Sequence, residues 1–379
     1  MSTAVNHEID QLFCDAERRQ RLVRVSSNRL GAALARRLKA GYVIRPARSL
    51  YARVTYWEAL TPIEQAWHLI RSIHDAQPHW VFCGETAALI HGMPVSYSRA
   101  LPIHVADGPH ARPRTSGVIA HHALPCDNPV LVNGIPVTSL ARTLCDCLQA
   151  LPFGDALAYA DAALRISKRS IEELRTSIEA LPLRPRGVRR AAGILGYADA
   201  RSESWAESVV RATILSQGFA LPELQVTLAS PVDPTQTYRV DGIFTRIDGT
   251  CVVLEVDGVE KYVNEHMLHG KSTVRALADE QHREAELTLL GMPVLRISSN
   301  EAHDPNRMVA KLTAYDIPRD PETAHAIRRL ARRDPISTAT FRTLRLTDNP
   351  LCVATLRCGA ENPPRIPAPL LALVEEMAA

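Results

Sequence analysis

Apolar positions recur every three to four residues in some stretches of the chain and every second residue in others, so helices and strands can be placed along it. In "HEIDQLFCDAERRQRLVR", Ile9, Leu12, Phe13 and Ala16 form one stripe and predict a helix. Val25-Ser26-Ser27-Asn28 breaks the pattern and offers N-caps. A second helix follows in "RLGAALARRLKAG", with Leu30, Ala33, Leu34 and Leu38 on one face and Gly41 as its stop. "YVIRPARSLYARV" predicts two short strands around a proline-containing turn.

Between about Leu60 and Ile166 the pattern is mixed. "HWVFCGETAALIHGMPV" predicts a strand-like start, a glycine turn and a short helix, and "LPIHVADG" and "SGVIAHHALP" predict strands. "GIPVTSLARTLCDCLQALPFGDALAYADAALR" predicts helices, with Thr138 or Ser139 as N-cap and Arg142 four residues before Asp146. "LPLRPRGVRRAAG" packs two prolines and four arginines into thirteen residues and suggests a linker. Beyond it, "SESWAESVVRATILSQG" predicts a helix stopped at Gly218, then the strands "LQVTLAS", "YRVDGIFT" and "CVVLEVDG". Asp248-Gly249 is a hairpin turn. "KSTVRALADEQHREAELTLLG" and "MPVLRISS" predict a helix and a returning strand.

Composition bounds the rest. The 379 residues are 46% hydrophobic and 22% charged, ordinary for globular domains, with a net charge of only +3. The distribution is less even. Asp15 to Arg53 holds eleven Arg or Lys against two acids, which suits an anionic partner or a solvated face. Helices followed by a basic hairpin suggest a winged helix-turn-helix, with Arg29, Arg36, Arg37, Arg45 and Arg48 as the DNA-contacting residues. The eight cysteines contain no CxxC pair and are expected as buried free thiols. His91, His110, His121 and His122 lack a ligand-spaced carboxylate or cysteine and are expected as ordinary polar residues. With no signal-like N-terminal run and no apolar stretch long enough for a bilayer, the expected setting is the cytoplasm, with no membrane partner.

The strongest chemical pattern is acid inside strands. Glu255 and Asp257 are two apart and share a face, while Asp241 lies on the neighbouring strand. Burying such carboxylates costs roughly several kcal/mol each unless something compensates. A Mg²⁺ ion held by Asp241 and Glu255 would compensate, and would activate water against a phosphodiester. The competing account is that Asp257-Gly258 only starts a turn and that the others lie on a surface edge strand.

Two resemblances add to this. "LKAGYVIRPARSLYA", "FCGETAALIHGMPV" and "GIPVTSLARTLCDCL", within residues 10–165, resemble the AbiEi family of antitoxin-like transcriptional regulators. That resemblance implies a DNA-binding head, a regulatory domain and a cognate toxin as a further partner. The family carries a glycine before the last wing strand, where this chain has Ser49-Leu50. Residues 200–300 resemble the PD-(D/E)XK nuclease superfamily, in its DUF559, Vsr-like branch. The match is carried by Glu207, Asp241, Glu255, Asp257 and the ending "DEQHREAELTLLGMPVLRIS", with Asp279, Arg283, Leu287, Gly291 and Arg296. It implies that Asp241 and Glu255 hold the metal, that Glu207 supports it, and that Asp257 stands where the family has its lysine; Lys261 could replace that lysine.

The expected fold class is therefore multidomain α/β. A winged helix-turn-helix spans residues 1–58, an α+β regulatory domain 59–180, a basic linker 181–199 and a restriction-endonuclease-like αβββαβ domain 200–302, with a tail of unassigned role at 303–379. The expected function is a DNA-binding regulator carrying an endonuclease domain that cuts with Mg²⁺ and needs no small-molecule cofactor. The alternative is a non-enzymatic type IV toxin–antitoxin antitoxin or repressor on an inactive nuclease fold.

Overall fold

The protein is described as a computed structural model covering residues 3–25, 27–108, 110, 112–124, 128–183, 185–233, 235–257, 285–302, 304–320, 322, 324, 325 and 327. It is a mixed α/β chain that divides into two compact units. One takes in the chain up to Ile90 together with Val95–Thr138; the other holds His91–Pro94 and the described chain from Ser139 on.

The first unit begins α1 (Thr3–Arg18), β1 (Val23–Arg24), α2 (Asn28–Lys39), β2 (Val43–Ala47) and β3 (Leu50–Arg53). The Ser27 hydroxyl caps α2 by accepting from Leu30 N–H at 3.2 Å. At its other end Gly41, at φ 78°, lets Tyr42 N–H reach the Arg37 carbonyl and Gly41 N–H the Leu38 carbonyl, which closes the helix as expected. Ile9, Phe13, Val23, Ala33, Leu34 and Val43 bury one another beneath a sheet of order β1-β3-β2. The hairpin tip turns through Ser49 at φ 64°.

α3 (Val54–Ala59) and α4 (Pro62–Ala76) follow, the latter opened by a reciprocal Thr61–Glu64 capping box. Then come β4 (Val81–Phe82), α5 (Gly84–Ile90), β5 (Ile103–Asp107), β6 (Arg114–Ser116), β7 (Ile119–Ala123), β8 (Val130–Val132) and β9 (Ile135–Val137). These strands make a second sheet of order β6-β7-β5-β4-β9-β8. Trp57, Leu69, Ile70, Phe82, Ile103 and Val137 fill its core, and Leu22, Ala47 and Leu50 join the same cluster. The β2–β3 hairpin is thus cemented to the larger sheet by shared apolar burial.

The second unit holds α6 (Leu140–Ala150), α7 (Phe153–Ser167), α8 (Ile171–Glu179), α9 (Pro185–Leu195) and α10 (Trp205–Gln217). Ser139 caps α6, and Arg142 and Asp146 pair at 2.8 Å, both buried. Residues 185–195, expected as linker, form a helix instead. Its Val188, Ala191, Ile194 and Leu195 are buried, and Arg190 donates to the carbonyls of Leu148, Gln149 and Leu151 at the end of α6. The prolines and charge of this stretch hide an amphipathic face. Helices α6–α9 also belong with the chain that follows them, not with the preceding sheet.

A four-stranded sheet completes this unit: β10 (Glu223–Ala229), β11 (Thr237–Thr245), β12 (Cys251–Asp257) and β13 (Val294–Ser298), in that spatial order. The first two pairings are antiparallel and β12–β13 is parallel, with Glu255 opposite Arg296. Gly218 ends α10 at φ 76° as expected. One face of the sheet buries Phe244, Leu254, Val256 and Ile297 against Val210 and Ile214 of α10. The other buries Val240 and Val253 against Leu287. α11 (Ser299–Ala302) and α12 (Pro305–Ala314) close the first of these cores with Met308 and Leu312, so the chain just past 302 is structural where a tail was expected. No helix among the described residues is long and apolar enough to cross a membrane.

Candidate functional site

Two groups of candidate residues stand out, one in each unit. In the first unit the five arginines expected at DNA divide into two sets. Arg29 is paired with Glu8, and Arg37 with Asp10 at 3.1 Å and Asn6 at 3.2 Å, so both tie α2 to α1. Arg36, Arg45 and Arg48 are exposed, and no carboxylate partner for them occurs among the described residues. Arg53, also in the basic stretch, is committed to Glu17. The pairing follows from the α1 acids Glu8, Asp10 and Glu17, which lie within reach of α2 and β3.

In the second unit the carboxylates gather around a break in the β10–β11–β12 ladder. Gln225 sits at φ 56°, and the β10–β11 register passes from Leu224–Gly242 to Val226–Val240 without pairing Gln225 to Asp241. Beside it, Asp241 reaches β12, where its Oδ2 accepts from Val256 N–H at 2.7 Å. Glu207, in the first turn of α10, accepts from Glu203 N–H at 2.9 Å and from Gln225 Nε2 at 3.1 Å. Burial holds its carboxyl above the ordinary 4.5; the hydrogen bonds from Glu203 and Ser204 oppose this, and the charges of Asp241 and Glu203 add to it. Glu255 is 6% exposed, inside β12 as expected. Asp257, at the strand end, is paired to Arg296 of β13 at 3.3 Å.

Glu207, Gln225 and Asp241 are thus one neighbourhood, with Glu255 one residue before the strand position that Asp241 grips. Asp257 is drawn instead toward Arg296. Among the described residues no set of three or more His, Cys, Asp and Glu side chains is placed to hold a metal ion. The pair Asp241 and Glu255 offers hard oxygens, and one Asp241 oxygen lies outside the Val256 bond; this fits a Mg²⁺ that keeps water or phosphate oxygens in the rest of its shell. Lys261, Asp279 and Arg283 lie outside the described residues.

The middle histidines are more organised than their spacing predicts. His122 stacks on His104, with Nε2 2.7 Å from His104 Nδ1, both buried. Burial, then the charges of His122 and Arg99, push His104 down and favour its neutral form. His121 is held by Asp107 at 3.2 Å, beside Arg114. His104 was not distinguishable from the sequence, because its partner is eighteen residues away on a strand reached through parallel pairing.

The fold and these residues define a mixed α/β protein of two compact units, one exposing arginines that have no carboxylate partner among the described residues and the other holding acids in a mixed sheet. The chain is similar to two uncharacterized proteins of Mycobacterium tuberculosis, MT2308 of strain CDC 1551 / Oshkosh and Rv2248 of strain ATCC 25618 / H37Rv. Each is 28% identical to it over 240 residues, 62% of this chain and 81% of theirs. No family model matches the chain, and no solved structure matches it.

Proposed function

We propose that this protein is a DNA-binding regulator of the antitoxin type, with a winged-helix head in its first unit. One observation carries this reading: Arg36 on α2 and Arg45 and Arg48 on the adjoining hairpin are exposed and lack a carboxylate partner among the described residues, while neighbouring arginines are paired. The sheet order β1-β3-β2, with α2 directly before the hairpin, supports a winged arrangement in which a helix enters the groove and the hairpin meets the backbone. The AbiEi resemblance supports the same reading and adds a cognate toxin as partner, in the cytoplasm. The test is duplex-DNA binding by the full chain across salt. Affinity should fall steeply as salt rises, because each neutralised phosphate releases a counterion. A salt-independent interaction, or none, would remove the reading.

A second reading, Mg²⁺-dependent cleavage of DNA, is favoured by Asp241, Glu255 and Glu207 around the break in the sheet. The strand order β10-β11-β12-β13 behind α10 supports a PD-(D/E)XK arrangement. In it, Asp241 and Glu255 hold the ion and Glu207 orders the site through Gln225; the ion would polarise a phosphate oxygen. Against turnover stands Asp257, paired with Arg296 where the superfamily places its lysine. Plasmid nicking with and without Mg²⁺ decides between a cutting enzyme and an inactive scaffold.

A further inference from the structure

The tip of the β2–β3 hairpin, the last turn of α4 and strands β6 and β7 enclose a cleft of about 420 Å³ within the first unit. Three arginines line it, Arg24, Arg48 and Arg114, and no carboxylate does among the described residues. Arg24 lies opposite Leu50 in the β1–β3 pairing, and Leu50 is two residues beyond Arg48, so both guanidinium groups belong to one rim. Neither has a carboxylate partner among the described residues. Two like charges on one rim repel, and an anion between them removes that cost. Arg114 differs, since Asp107 holds it at 2.6 Å.

Part of the cleft's lining is apolar and aromatic. Leu50, Ile73 and Ile119 line it beside Trp80, whose ring meets His121 edge-on at 5.2 Å between centroids. His121 is 5% exposed and its Nδ1 is fixed by Asp107, so this polar wall is set in orientation before any ligand arrives. The volume is that of a small-molecule site and well above what a bare phosphate fills. A cationic rim beside a partly apolar lining selects a ligand with an anionic end and a flat body.

We propose that this cleft binds an organic phosphate bearing a flat ring, of the nucleoside monophosphate class. The phosphate sits between Arg24 and Arg48, and the ring lies on the apolar part of the lining beside Trp80. Arg48 is also one of the arginines assigned to DNA above, so an occupied cleft withdraws a backbone contact and stiffens the hairpin. The ligand then acts as an effector of DNA binding. That last step rests on the DNA-binding reading; the binding site itself does not.

Titration calorimetry on the full chain, with AMP, GMP, CMP and UMP in turn, tests the site. At least one should bind one to one, with inorganic phosphate and the matching nucleoside each tenfold weaker or worse. Arg24→Gln and Arg48→Gln should each weaken the nucleotide tenfold or more, because each removes a charge-assisted contact. Both positions are exposed, and unchanged thermal melts would confirm that the variants fold. No binding by any of the four nucleotides, affinity unchanged in both variants, or phosphate binding as tightly as the nucleotides would overturn the proposal. Duplex binding measured in parallel separates the two readings. A nucleotide that binds while duplex does not leaves the cleft standing and removes the DNA reading. Duplex binding that depends on Arg24, with no nucleotide bound, makes the cleft a backbone contact and overturns the ligand.

Discussion

The Asp241 carboxylate accepts a 2.7 Å hydrogen bond from the backbone N–H of Val256, across two neighbouring strands. The bond substitutes for ladder pairing where β11 and β12 diverge, since the register ends at Gly242–Leu254. Asp241→Ala leaves the N–H of the buried Val256 without its acceptor and should cost about 1–3 kcal/mol. Asp241→Asn keeps an acceptor and should cost less. Urea denaturation of both variants reads the difference, and equal costs would show that the contact is dispensable.

Glu255→Gln separates metal binding from stability. It removes one of several clustered negative charges, so stability without metal should hold or rise. The stabilisation that Mg²⁺ adds should shrink. Equal Mg²⁺-induced shifts in melting temperature for variant and wild type would remove Glu255 from the ion.

Arg36 and Arg37 are neighbours with opposite assignments. Arg36→Ala should weaken duplex binding and reduce its salt slope by about one, with the melting temperature unchanged. Arg37→Ala breaks the ties to Asp10 and Asn6 and should lower stability by up to about 1 kcal/mol, the range of a partly exposed pair. If Arg37→Ala lowers affinity as much as Arg36→Ala while leaving stability alone, the division is wrong.

Ser49 turns the hairpin at φ 64°, in the left-handed region where a β-carbon costs roughly 1–2 kcal/mol. Ser49→Gly should therefore raise stability by up to about 1 kcal/mol, the greater freedom of glycine in the unfolded chain offsetting part of the gain. A fall in melting temperature would mean that the serine side chain outweighs its backbone strain.

Burial raises the Asp146 carboxyl to about 6 from an ordinary 3.8, against the opposing pull of Arg142. A folded value above the unfolded one means that the native state holds the extra proton across this window. Its contribution to stability is full below roughly pH 4 and is lost as pH rises through about 6. The stability of wild type minus that of Asp146→Asn should therefore fall across that window and stay flat above it. A difference that rises with pH would reverse the assignment.

Much of the local structure was legible because its causes are local. The capping serines, the Gly41 and Gly218 stops, the Asp248-Gly249 turn and the Arg142–Asp146 spacing each act within a few residues. Glu255 was legible because an acid in an apolar strand has few explanations. The rest depended on distant partners. Arg190 looks like linker charge until the carbonyls that end α6 are placed around it, some forty residues earlier in the chain. Gln225 carries no mark of a positive φ, nor of its bond to Glu207 eighteen residues earlier. Arg24, Trp80 and His121 come from separate stretches, and only the packing of the hairpin against the larger sheet makes them walls of one cleft.

The end of α10 is clasped by chain made much later. Gly218 accepts from Asp320 N–H at 2.6 Å, and Gln217 from Arg319 across 102 positions. Met308, Leu312 and Ile317 cover the same core as Val210 and Ile214. On the ribosome, α10 therefore emerges about a hundred residues before its cover, a delay of roughly 5–20 seconds at ordinary synthesis rates. Through that interval the part of the core that Met308, Leu312 and Ile317 close stays open to chaperones and to other nascent chains, and a transcript cut short before codon 308 yields a unit without that cover.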